Sequence, residues 1–289
     1  MPNSVTMIRR SLRTVRDRLR LWLAERAVDR FQLKEAAPHG LEGQLVVSLT
    51  SYPPRYGTLH KTLKSLLLQT IKADRTVLWI AEGDMTSLPE EVRRLVWSGL
   101  EIRPCTDLRS YNKIIPALNL WPEAYIVTAD DDLYYPPDWL ETLVRGVVPG
   151  EKVIVCRRAH LPRRTATGFA PYSEWHWDIV TDGGIRTDLF PTGVGGVIYP
   201  PRSLPPETLD EVRIRSLCPT ADDIWLFWMG STSGARYRQV GGGFSQITWA
   251  GSQTATLASV NCESGNDDQL RALMSTPGLA DGVSNDRAA

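Results

Sequence analysis

Four short apolar runs dominate the first half of the chain: Gln44–Thr50, Thr76–Ala81, Leu100–Arg103 and Tyr125–Thr128. Each is too short for a helix and is separated from the next by a segment of helical character. Thr58 can cap a helix in which Leu59, Leu63, Leu66, Leu67 and Thr70 share one face. Pro89-Glu90-Glu91 places a proline and two acids where a helix start favours them, and Asn112 to Leu120 also reads as helix. Strand–helix alternation of this kind predicts an α/β fold with a mostly parallel central sheet and helices on both faces. In such folds ligands bind beyond the carboxyl ends of the strands, near the point where strand order reverses. Thr50-Ser51-Tyr52, Glu82-Gly83-Asp84 and Asp130-Asp131-Asp132 all fall at those ends, so they are expected to converge.

The fourth run ends in three consecutive carboxylates, Asp130, Asp131 and Asp132, followed by Pro136-Pro137. Adjacent anions repel one another and are costly to bury unless something neutralises them. Mg2+ or Mn2+ takes carboxylate oxygens, and Asp130 and Asp132 on an extended backbone would point to the same side. The plain alternative is a solvated acidic turn.

Beyond this region the pattern loosens. A helix is expected from Asp138 to Val147 and a strand over Lys152–Val155, but residues 158–192 show no clear period. A loop that long inside a compact domain is usually functional or mobile. Pro191 to Pro201 holds Gly193, Gly195 and Gly196, either for close backbone approach to a ligand or for a tight turn. Asp222 and Asp223 open a very apolar helix, where they serve chemistry or merely its first turn. Trp175, Trp177 and Trp225 are candidates for stacking on sugar rings or for ordinary core packing.

The two ends differ from the middle. Residues 8–31 form a basic amphipathic helix, with Ile8, Leu12, Val15, Leu19, Leu23, Ala27 and Phe31 on one stripe and most arginines off it. It suits an anionic membrane surface, or packing on the domain or a second subunit. Ala36 to Gly40 reads as a linker, giving an expected division into residues 1–40, a globular domain over 41–250 and a disordered Ser/Gly/Asn-rich tail over 251–289. The formal net charge is zero, which argues against a nucleic-acid partner. The four cysteines are widely spaced, which suits a reducing compartment rather than a disulfide framework. With no long apolar run, the chain reads as cytoplasmic, peripheral on the inner face of the cell membrane through residues 8–31.

The stretches Ser48 to Arg55, Ser110 to Lys113, Thr128 to Asp132, Pro191 to Pro201 and Ala221 to Trp225 together resemble the GT-A class of nucleotide-sugar glycosyltransferases, most nearly the family 2-like enzymes of bacterial surface-polysaccharide synthesis. The resemblance spans about residues 44–230. It implies a Rossmann-like domain that moves a sugar from a UDP- or GDP-linked donor to a glycan or other hydroxyl acceptor, with inversion, using Mn2+ or Mg2+. By the same resemblance, Asp132 and Asp130 are metal ligands, with Asp130 alternatively facing the ribose. Asp223 is the general base with Asp222 beside it. Thr50, Ser51, Tyr52, Arg55, Glu82, Lys113, Asp130, Asp131, Gly195 and Gly196 belong to the donor site. No histidine follows His176, so water and the diphosphate would complete the metal's ligands. Two other readings use the same acids. One is a Mg2+-dependent phosphatase or nucleotidyltransferase, the other a non-catalytic carbohydrate-binding protein.

Overall fold

The computed structural model describes residues 4–166, 168–252 and 265–279, with side chains from residue 15 onward. An eight-stranded sheet forms its centre: β1 (Leu45–Thr50), β2 (Arg75–Ala81), β3 (Leu100–Cys105), β4 (Tyr125–Thr128), β5 (Val153–Cys156), β6 (Ile185–Arg186), β7 (Val197–Tyr199) and β8 (Arg236–Gln239). Their order is β6-β8-β5-β7-β4-β1-β2-β3. The stretch β4-β1-β2-β3 is wholly parallel, as the alternation predicts. The second half is mixed, because β7 runs antiparallel between β4 and β5. Gly196, at φ +86°, turns the chain into β7, and a Cβ there would lie 2.7 Å from Trp139 Nε1.

Helices cover both faces. Leu45, Val47 and Leu49 of β1 face α2 (Tyr56–Leu67), α3 (Glu90–Arg93) and α5 (Trp139–Val144) through Leu59, Leu63, Leu66, Val92 and Leu143. Val46 and the alternate residues of the other strands, Val77, Ile126 and Ile154, face the opposite layer. That layer holds α4 (Ile115–Leu120), α6 (Glu211–Leu217), α7 (Asp222–Thr232) and α8 (Asn266–Met274). Period-two alternation in doubly covered strands thus builds two cores from one sheet.

Several local expectations change. Thr58 does not cap α2: a 3-10 turn over Pro53–Arg55 leads straight into it, with Arg55 at the cap position. The segment from Arg109 splits into a 3-10 turn, Arg109–Lys113, and the short α4. Residues 158–192 are not a bare loop, since His176–Ile179, Ala159–Leu161 and Phe190–Pro191 form a three-stranded antiparallel sheet in that order. The linker is also engaged, Ala37 and Pro38 pairing with Ile71 and Lys72. Within the tail read as disordered, α8 buries Leu270 and Leu273. Residues 253–264 and 280–289 lie outside the described residues.

Helix α1 (Ser4–Asp29) buries Ala24 and Val28 against Trp249. The stripe expected to be buried or membrane-facing is a different one, and Val15, Leu19, Trp22 and Leu23 stay exposed. Among the described residues no helix is long and apolar enough to cross a membrane. Cys105, Cys156 and Cys218 are free thiols.

A carboxylate-lined cleft at the strand ends

β1 is where strand order reverses: the chain proceeds from it to β2 and β3 on one side, and β4 lies on the other. Beyond the carboxyl ends of these strands opens a cleft of about 520 Å3. Thr50, Ser51, Tyr52, Arg55, Lys113, Asp130, Asp131, Asp132, Asp222 and Asp223 all line it, so segments far apart in the sequence meet there. Three of the expected residues do not. Glu82 is exposed outside the cleft and Asp84, two residues on, takes the lining position. Gly195 backs onto Arg158, and Gly196 backs onto Trp139, so both shape the fold. The glycine that reaches the cleft is Gly193, where a Cβ would sit 2.8 Å from Lys113 Nζ and 3.1 Å from Asp223 Oδ1.

The acidic triplet lies past the end of β4 in a bend, so alternation along a strand does not set its geometry. Each carboxylate has its own partner instead. Lys113 Nζ lies 3.0 Å from Asp130 Oδ1, Ser51 Oγ donates to Asp131 Oδ2 at 2.5 Å, and the Arg55 guanidinium pairs with Asp132. Thr62 Oγ1 donates to the Asp131 carbonyl at 2.9 Å and Tyr135 Oη accepts the Asp130 N–H at 2.7 Å, which fixes the bend from behind.

The opposite wall is the N-terminus of α7. Ala221 occupies the cap position, so neither acid caps the helix. Asp222 Oδ2 lies 2.9 Å from Lys113 Nζ, while both oxygens of Asp223 accept the Gly193 N–H, at 3.0 and 3.1 Å. Two distant contacts hold this wall in place. Gln269 Oε1 of α8 accepts the N–H groups of Thr220 and Ala221 at 3.0 and 3.1 Å, and the Tyr111 hydroxyl donates to the Cys218 carbonyl.

With Asp84 and Asp107 included, seven carboxylates line the cleft against three cations, Lys113, Arg55 and Arg109. Burial opposes the charge on Lys113, but Asp130, Asp222 and Asp223 outweigh it and hold its pKa well above the ordinary value. Arg55 is likewise held up by Asp132 and Asp131 against burial. The acids feel the excess: burial raises Asp130, partly offset by Lys113. Burial lifts Asp131 to about 7 against the Ser51 hydrogen bond, and burial with the neighbouring Asp222 lifts Asp223 to about 7. Surplus negative charge of this kind is relieved by protons or by a cation.

Among the described residues no group of three or more His, Cys, Asp or Glu side chains is placed to hold a metal ion. Asp130 and Asp132 are two carboxylates at an open cleft, each paired with a cation, Lys113 or Arg55, and Mg2+ is commonly held by as few as one or two carboxylates with substrate phosphates and water completing the shell. Sequence reasoning missed Arg109, an exposed arginine at φ +57° that lines the same cleft. Its N–H donates to Asp107 Oδ1, two residues back, at 2.8 Å, and that Asp-x-Arg turn was the available signal. Trp175 and Trp225 are buried, their indole N–H groups bonded to the Ala170 and Thr208 carbonyls, so core packing is their role.

No family model and no curated protein matches the chain. Among solved structures it is similar to a mannosyltransferase from Pyrobaculum calidifontis in complex with GDP-Man and Mn2+, with 17% identity and a TM-score of 0.46. That alignment covers 77% of this chain and 61% of the mannosyltransferase, so the chain spans about three fifths of its length. It is also similar to the inositol-1-phosphate CTP transferase from T. maritima (12% identity, TM-score 0.41, covering 76% of this chain and 96% of that one). A third is a 4-diphosphocytidyl-2C-methyl-D-erythritol synthase (13%, 0.41, 72% and 93%). Fold likeness at this level does not fix chemistry, which resides in the side chains of the site.

Proposed function

We propose that the protein is a divalent-metal-dependent glycosyltransferase that moves a sugar from a UDP- or GDP-linked donor to a hydroxyl acceptor. The observation that carries this reading is the pairing of two unlike carboxylate sets across one cleft. The Asp130–Asp132 bend faces the Asp222–Asp223 helix start, with Lys113 between them. Asp130 and Asp132 would hold Mn2+ or Mg2+, which supplies positive charge against a departing diphosphate. Arg55 and Arg109 add cations to the lining of the cleft.

Asp223 suits the general base. Its pKa near 7 gives it proton affinity that an ordinary carboxylate lacks, and it is more open to the cleft than Asp222. It would accept the acceptor hydroxyl's proton as the oxygen attacks the anomeric carbon and the bond to the nucleoside diphosphate breaks. Asp222 pairs with Lys113 and orients the ammonium. Attack from the face opposite the leaving group makes inversion the expected outcome.

Nucleotidyl transfer is the competing chemistry. The loop after β1 speaks against it: Pro53 and Pro54 have no N–H to offer a triphosphate, and the Arg55 N–H is spent on the Tyr52 carbonyl at 2.9 Å. The deciding measurement is product release from UDP- and GDP-sugars with Mn2+ or Mg2+. Nucleoside diphosphate release, abolished in Asp132→Ala together with metal-dependent thermal stabilisation, is the expected result. Pyrophosphate release from a nucleoside triphosphate would replace the proposal with nucleotidyl transfer. The exposed Val15, Leu19, Trp22 and Leu23 beside Arg16 and Arg18 suit an anionic membrane surface. Sedimentation with anionic vesicles, compared with a chain lacking residues 1–40, tests that part.

A further inference from the structure

The three-stranded sheet beside the cleft carries an aromatic surface with no place in the donor site. Trp177 is 43% exposed, whereas Trp175, two residues earlier, is buried. The Trp177 ring stacks on the His160 imidazole, with centroids 5.3 Å apart and planes within 19°, and its indole N–H donates to the Tyr172 carbonyl at 3.1 Å. The ring thus rests on a buried pedestal, with Tyr172 set against it edge-on at 5.3 Å, and still keeps part of its surface open to solvent. His160 is held neutral by burial and by Arg158, its pKa lowered to about 4. Its Nδ1 accepts the Asp178 N–H at 3.0 Å, so the pedestal is fixed as well as uncharged.

The next residue, Asp178, breaks the strand. Its φ of +51° lies in the left-handed region, and the register shifts between His176 and Ile179. A bulge re-aims side chains, and a non-glycine residue stays at positive φ only where its surroundings hold it there. Here they do: Arg158 pairs with Asp178, and Gln239 Nε2 donates to the Ile179 carbonyl at 2.7 Å. The result presents a carboxylate, 62% exposed, on the residue that follows the part-exposed indole.

This surface is wired to the reacting end of the cleft. Arg158 pairs with Asp178 and also donates to Thr192 Oγ1 at 3.0 Å, and Thr192 precedes Gly193, whose N–H holds Asp223. Phe190–Pro191, which leads into Thr192, lies two strands from His176–Ile179, a spacing of about 10 Å. A flat aromatic face suits the C–H face of a pyranose, and a carboxylate accepts hydrogen bonds from ring hydroxyls. We infer that Trp177 and Asp178 form a subsite for a pyranose ring of the acceptor, placing a glycan's terminal sugar on the Asp223 side of the cleft. This deepens the proposed function and rests on it for the word acceptor, though the binding itself is measurable alone.

The test is saturation-transfer NMR on the full chain with methyl α- and β-pyranosides of glucose, galactose and mannose and their 1,4-linked disaccharides. At least one is expected to bind with saturation at its ring C–H protons. Affinity should weaken about tenfold in Trp177→Ala, and Trp177→Phe should recover part of the loss. Asp178→Asn, which tolerates the same backbone, should weaken binding without moving the nucleotide's affinity. UDP and GDP affinity with Mn2+, measured in parallel, reports that each variant is folded; if Trp177→Ala does not fold, Trp177→Phe and Asp178→Asn decide. Binding of none of these sugars by the wild type, or equal binding by the variants, overturns the inference. Sugar binding without any nucleotide binding would leave the subsite standing and sink the donor reading instead.

Discussion

The two walls of the cleft are made by different means. The wall carrying Ser51, Arg55 and the acidic triplet consists of the ends of β1 and β4 and the turns that follow them, Ser51 and Arg55 one residue and the triplet two to four residues from a regular strand or helix. The wall carrying Gly193, Asp222 and Asp223 depends on contacts that span the chain: Gln269 to Ala221, Tyr111 to Cys218, Arg158 to Thr192. Topology places the first wall, with its bend finished by Thr62, Tyr135 and Trp249, whereas long-range packing places the second. That division predicts a division of labour, with donor and metal affinity on the first wall, proton transfer and acceptor position on the second.

The comparison can be broken most directly at Asp223. Asp223→Asn should cut kcat by about 10²–10⁴-fold while leaving donor affinity within about twofold; equal losses in both would show that the walls do not separate. A smaller effect, in a different quantity, comes from Lys113, which ion-pairs with both walls. Lys113→Met leaves Asp130 and Asp222 without their buried counter-ion and should cost about 3–5 kcal/mol in urea unfolding. A loss below about 1 kcal/mol would mean that the walls stand independently.

A third effect, spread over several pH units, is a pH dependence. Asp131 is raised to about 7 in the fold, against 3.8 ordinarily, so between those values the folded protein binds a proton that the unfolded chain releases. Stability of the metal-free protein should therefore be highest below about pH 4 as far as this group is concerned, and fall as pH rises toward 7. Asp131→Asn should flatten that slope in Tm measured across pH; an unchanged slope would remove Asp131 as its source.

How much was legible follows the same line. The parallel strands β1 to β4 announce themselves because each is a short apolar run bounded by turn signals, and the acids sit at a strand end where topology gathers ligands. The bend at Asp130 to Asp132 was not legible: its form depends on Thr62 and Tyr135 reaching in from other elements. β7 escaped notice as a sheet member because three buried residues between glycines and prolines have no readable period. The sheet over 159–191 escaped for a related reason, since its short strands mix buried aromatics with exposed polar residues. Trp175, Trp177 and Trp225 are identical as letters, and only burial separates the one part-exposed ring from two core fillers.

Trp249 gives the first helix a part in this geometry. Its indole N–H donates to Thr62 Oγ1 at 2.8 Å, the hydroxyl that in turn holds the Asp131 carbonyl, and its own backbone N–H reaches the Asp132 carbonyl at 3.3 Å. Ala24 and Val28 close over the same ring. Pressure or pull on the chain's opening helix thus reaches the acidic bend through a single indole, which makes that helix a brace for the reaction centre as much as an outboard contact surface.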